Sequence, residues 1–114
     1  MKRLVVVLAL GLAVGSALGR PFRTWGSPAC KEWTAPADAS TVRSRQGWLL
    51  GFLTGLNAAY SEVVPKGDPL TELQSADQAF RYVDNYCKTH PMEDATDGAS
   101  ALFSELRARA DARK

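Results

Sequence analysis

The chain is poor in the groups that catalysis uses. Its 114 residues include one histidine and two cysteines. His90 stands directly before Pro91, where a helix end is expected and an imidazole acts as a cap or dipole partner. No G-x-S-x-G elbow occurs, and no glycine-rich loop runs into Lys-Ser or Lys-Thr. Glu93, Asp94 and Asp97 lack the spacing of a calcium loop and read as acidic residues in a helix's first turn. No alternating pattern marks a strand, no segment repeats, and none is of low complexity. No apolar run reaches the roughly 20 residues that span a bilayer. The expectation is a protein that is not an enzyme, with no catalytic residue, no metal and no cofactor.

The longest apolar run lies at the start. Lys2 and Arg3 precede an apolar stretch over 4–18, and Ala17-Leu18-Gly19 places small residues at the −3 and −1 positions of a cleavage site before Arg20. Residues 1–19 are therefore expected to be a signal peptide, and the rest a periplasmic or secreted protein. No cysteine follows the apolar run to make a lipoprotein. Without Lys2 and Arg3, 12 basic side chains face 12 acidic ones. The charge is unevenly placed. Residues 30–105 hold 6 basic and 11 acidic residues, while Arg107, Arg109, Arg113 and Lys114 near the end face only Asp111. An acidic body is unsuited to nucleic acid, whose phosphates demand cationic neutralisation.

Two cysteines in a small exported chain most simply pair, giving a Cys30–Cys87 disulfide. A domain of this size buries little surface, so a cross-link closing so long a loop is a large part of its net stability.

The remaining pattern is helical. Residues 20–26 form a short segment expected to be mobile, and 27–114 a single helical domain. Ser27-Pro28 reads as a cap and first turn of a helix carrying Cys30 and Trp33 on one face. Asp38 to Thr41 can cap a second helix running to about Tyr60. There Val42, Leu49, Phe52, Leu53 and Leu56 recur at helical spacing beside Trp48. Arg43, Arg45 and Gln46 lie just before its apolar stretch of about 9 residues, too short for a membrane span. This helix is expected to be central. Residues 61–73, with Pro65, Gly67 and Pro69, read as a loop. Ser75 and Gln78 fit a capping box for a third helix with Ala79, Phe80, Val83, Tyr86 and Cys87 on one stripe. A fourth helix is expected from Pro91, with Met92, Ala95, Ala99, Leu102 and Leu106 three and four apart. The expected fold is all-α, a small bundle of about four helices stapled by one disulfide. Its expected core is Trp33, Trp48, Phe52, Phe80, Tyr86 and Leu102, while Trp25, Tyr60 and Tyr82 are candidates for the surface.

Gly47, Gly51 and Gly55 are the least economical feature. Each costs roughly 1 kcal/mol relative to Ala inside a helix. Four apart, they lie on one face and leave a groove without side chains. The expected reason is packing, by close approach of another helix or a bulky aromatic ring.

Cys30-Lys31-Glu32-Trp33, the Trp48-to-Asn57 helix and the run Asp84-Asn85-Tyr86-Cys87-Lys88-Thr89-His90-Pro91 together resemble the HdeA/HdeB-type periplasmic proteins. The likeness covers about Ala29 to Leu106. The glycine-rich second helix departs from the known chaperones of that family and places the likeness nearest its uncharacterised members. The resemblance implies a small helical domain with one disulfide. It also implies a stress protein that loosens in acid and offers apolar surface to unfolded clients, and a homodimer at neutral pH. A second class, the periplasmic immunity proteins of type VI secretion systems, shares the helical, disulfide-linked design and implies a module that occludes one specific partner. In either class the partner is a protein.

Overall fold

The computed structural model describes residues 22–114. The signal peptide expected over 1–19 lies outside the described residues, as do Arg20 and Pro21. The described residues form four helices: α1 (Cys30–Thr34), α2 (Ala39–Val63), α3 (Ala76–Thr89) and α4 (Ala95–Ala112), with a 3-10 turn at Pro69–Glu72. The all-α expectation is met, and Cys30 and Cys87 are joined by a disulfide with Cα atoms 4.8 Å apart.

The bridge fixes a helix that has no stability of its own. Five residues, at α1, are too few to persist in water. Cys30 is fully buried against Cys87, and one turn on, the Trp33 indole donates to the Asp84 carboxylate at 2.7 Å. Both links tie α1 to α3. The residues before α1 are tied to α4 instead. Cys30 N donates to the Glu93 carbonyl and Ala95 N to the Pro28 carbonyl, each at 2.8 Å. Ser27, expected to cap α1, accepts from the Thr96 hydroxyl at 2.8 Å and the Thr96 amide at 3.2 Å. It serves the start of α4, and α1 begins three residues after it. Thr96 is fully buried, so this bond offsets the desolvation of its hydroxyl.

The central helix is α4, not α2. It buries Ala95, Thr96, Gly98, Ala99, Leu102, Phe103 and Leu106, whereas α2 buries only Leu49 and Leu53. Small residues in its first two turns explain this. A Cβ on Gly98 would stand 3.2 Å from the Tyr86 ring, so α3 crosses α4 closely there. The helix starts at Ala95 rather than Pro91 because Asp94 is its cap, accepting from the Thr96 and Asp97 amides at 3.0 and 3.2 Å.

Of the expected core, Trp33 and Leu102 are buried. Trp48, Phe52, Phe80 and Tyr86 are half-buried and pack against the buried cluster from outside. The Ser75–Gln78 capping box does not form. Ser75 makes no side-chain cap bond, and Gln78 instead accepts from the Gln74 amide at 2.8 Å. The expected loop over 61–73 is shortened at both ends, by the last turn of α2 and by the 3-10 turn that Pro69 opens.

Tyr86 closes the α3–α4 corner. Its hydroxyl donates to the Glu93 carboxylate, and the His90 ring stacks on its ring at 4.0 Å. Burial, followed by Glu93, pushes the Tyr86 hydroxyl well above the ordinary phenol range. A folded-state pKa raised in this way adds stability that is complete below the unfolded phenol's value, about 10, and fades as pH rises beyond it. Urea midpoints taken from pH 8 to 11 should therefore fall more steeply for the natural protein than for Tyr86→Phe; equal slopes contradict this. Replacing both cysteines by serine should cost about 4 kcal/mol for a loop of this length, read as a lower urea midpoint at pH 7. Leu106→Ala, at a fully buried position of α4, should cost about 3 kcal/mol in the same assay.

Candidate functional site

The candidate site is the solvent face of α2. Asp38 starts the helix by accepting from the Thr41 amide at 2.8 Å, which holds its carboxyl below the usual range. Arg45 then reaches back to the Trp33 and Ala35 carbonyls at 3.3 and 3.1 Å, fixing the helix against α1. Further along, Asn57 donates to the Asp68 carboxylate at 2.8 Å and accepts from the Leu70 amide at 3.2 Å, fixing it against the 3-10 turn. Near the far end, the Tyr60 ring meets Phe103 edge-on at 5.9 Å, with Arg107 over its face at 5.0 Å. These ties turn one side of α2 inward and leave the other to water.

That outer side is unlike an ordinary exposed helix face. From Gln46 to Ser61 it carries no charged side chain, over about 24 Å at 1.5 Å per residue. Gly47, Gly51, Gly55, Thr54, Ala58, Ala59 and Leu50 are all exposed there. The packing expected of the three glycines is not found: a Cβ at Gly47, Gly51 or Gly55 would meet nothing within 4 Å. No helix or ring of this chain's described residues enters the groove. The open position of these glycines is invisible to periodicity, because glycine carries no side chain whose polarity marks inside or outside.

An aromatic wall stands along one edge. Trp48 and Phe52 stack with centroids 5.3 Å apart, and Phe22 lies on Phe52 at 6.5 Å. Residues 22–26, expected to be mobile, lie across α2. The Trp48 indole donates to the Trp25 carbonyl at 2.9 Å, and Gly26, at φ 77°, rests on Trp48. Trp25 itself is 85% exposed. Together with Gly47 and Gly51, these rings bound a cleft of about 380 Å³. Arg23 at its margin supplies the charge. An apolar, aromatic-walled cleft beside an uncharged helix face offers dispersion and burial of apolar area to whatever occupies it.

The other expected sites are placed as follows. Cys30 and Cys87 are joined and buried. His90 caps the end of α3, with Nδ1 2.9 Å from the Tyr86 carbonyl. Tyr60 and Tyr82 are half-buried. Among the described residues, no group of three or more His, Cys, Asp or Glu side chains is placed to hold a metal ion, and no helix is long and apolar enough to cross a membrane. The contribution of residues 22–26 to the cleft was missed by sequence reasoning. The surface position expected of Trp25 is found, but nothing in the sequence pattern ties it to Trp48.

If the glycines serve a surface rather than the fold, Gly51→Ala should raise the stability of the isolated chain. Relief of the glycine penalty with no clash predicts a gain of about 0.5–1 kcal/mol, measured by urea unfolding. A loss of stability contradicts the open-face geometry. Comparison with protein-family models, curated proteins and solved structures finds no match to this chain.

Proposed function

We propose that this chain is a periplasmic stress protein of the HdeA/HdeB kind, which binds apolar segments of unfolded proteins when its surroundings turn acid. The observation that carries the reading is the uncharged outer face of α2 with its aromatic cleft. Such a face is costly for the chain alone, since helix stability is lost at three glycines and Trp25 stands in water. Contact with another polypeptide is the use that offsets both.

The polar ties support an acid trigger. Both ends of α2 depend on a carboxylate: Asp38 caps its start and Asp68 receives Asn57. Asp84 holds Trp33, Glu72 pairs with Arg113 at 2.9 Å, and Asp94 caps α4. Asp38 gives the sign directly. A carboxyl held below its ordinary range stabilises the fold above that range, and the contribution is lost as pH falls through the lowered value. Protonating all 12 carboxylates and His90 takes the leaderless chain from balance to about +13, and the repulsion favours expansion. The disulfide does not titrate and would keep α1 and α3 joined.

The test mixes the oxidised chain, lacking 1–19, with an aggregation-prone client at pH 2.5. Light scattering should show suppression of client aggregation, and Trp25→Ser should weaken it while leaving the urea midpoint at pH 7 nearly unchanged. A domain that stays compact at pH 2.5 while the client precipitates contradicts the proposal.

A further inference from the structure

A second cavity, of about 240 Å³, opens between α3 and α4, and its chemistry differs from that of the α2 face. Arg81, Tyr82 and Asn85 line it from α3, Arg109 and Leu102 from α4, and Leu73 from the segment before α3. Three of these polar groups open to solvent: Arg81 and Asn85 are exposed and Tyr82 is half-buried, so water rather than the protein satisfies them. The Arg81 guanidinium, the Tyr82 hydroxyl and the Asn85 amide find no hydrogen-bond or ion-pair partner among the described residues. Arg109 is shared only loosely, with Glu105 at 3.5 Å across an exposed pair. Exposed pairs of this kind are worth little and are readily exchanged. Burial, then Glu105, pushes the Tyr82 hydroxyl above the ordinary phenol range, with Arg109 opposing.

The donor set selects a ligand class. Two guanidiniums, which can only donate, stand with a phenol and the Gln78 and Asn85 amides, which donate or accept, and no carboxylate lines the cavity, so the occupant that the guanidiniums favour is an anion. The lining also includes half-buried Leu73, whose open apolar surface a small, fully hydrated inorganic anion would leave uncovered. We propose that the cavity between α3 and α4 binds carboxylates with an apolar body, the carboxylate held by Arg81 and Arg109 and the body laid on Leu73. Glu105 is the internal competitor: a ligand carboxylate takes its place on Arg109. The chemistry is common to small organic acids and to the free C-terminus of a polypeptide ending in an apolar residue.

Titration calorimetry and amide NMR on the oxidised chain test this, with N-acetylphenylalanine, its neutral amide and inorganic phosphate as probes. The acid should bind and shift the signals of Tyr82 and Asn85, and the amide and phosphate should bind at least about tenfold more weakly, the scale of one lost charged hydrogen bond. Arg81→Gln should weaken the acid by about tenfold or more, and Glu105→Gln should tighten it by freeing Arg109. Both positions are exposed, and circular dichroism with urea midpoints verifies that the variants fold. Equal binding of acid and amide, phosphate binding as tightly as the acid, or an unchanged affinity in folded Arg81→Gln overturns the proposal. A pentapeptide ending in phenylalanine, free or amidated, separates the sources. Tighter binding of the free-ended peptide than of the single acid assigns the site to chain ends, and equal binding assigns it to small acids. None of these readouts involves the α2 face.

Discussion

The bond between Cys30 and Cys87 is the constraint on which the other contacts depend. It holds a helix of five residues, too short to survive alone, against the end of α3. Once α1 is fixed, its carbonyls at Trp33 and Ala35 become the acceptors for Arg45, and the residues ahead of it pair with the start of α4. Thus one covalent link fixes α1, which in turn meets α2 and the start of α4, while α3 and α4 also pack directly at Gly98. It also relieves α2 of a supporting role. With α4 filling the centre and α1 pinned from outside, α2 needs only Leu49 and Leu53 fully inside, and its opposite face is left to other uses.

Much of the architecture was legible in the sequence. The disulfide followed from two cysteines in a chain expected to be exported. The helices followed from apolar spacing, and the Asp38 cap from a short polar residue ahead of an apolar run. The layering was not legible. α2 reads as the most apolar helix because glycine, alanine and the aromatics raise its average, yet its apolar rings sit at the edge and its small residues face water. α4 reads as modest because its inner positions are small, and small residues are what allow α3 to approach at Gly98. Caps were misassigned where two candidate partners competed. Ser27 has α1 three residues ahead and Thr96 beside it in space, and the buried Thr96 hydroxyl takes it.

The candidate site was half legible. Three glycines four apart signalled a groove, and the spacing gave its face. What enters the groove cannot be read from spacing, because the contact is made between elements or between molecules. Nor does spacing bring Phe22 and Trp25 to Trp48 and Phe52; that needs the chain to turn at Gly26 and fold back over α2. The same limitation hid the cavity at Arg81 and Arg109, which arises only when α3 and α4 are set side by side. Both surfaces share a physical signature: beside side chains that pack on the core, each holds groups that no other described residue covers or pairs. Uncharged glycines stand open on one, and unpaired donors on the other.

The central claim of the proposed function is that in acid the bridge keeps α1 and α3 joined while α2, whose start is capped by the Asp38 carboxylate, loosens. Residue-resolved hydrogen exchange on the oxidised chain at pH 3, corrected for intrinsic rates, tests it most directly. Protection should persist around Cys30 and from Val83 to Cys87 and be lost along α2 from Arg43 to Tyr60. Protection of α2 equal to that of α3 at pH 3 would contradict it.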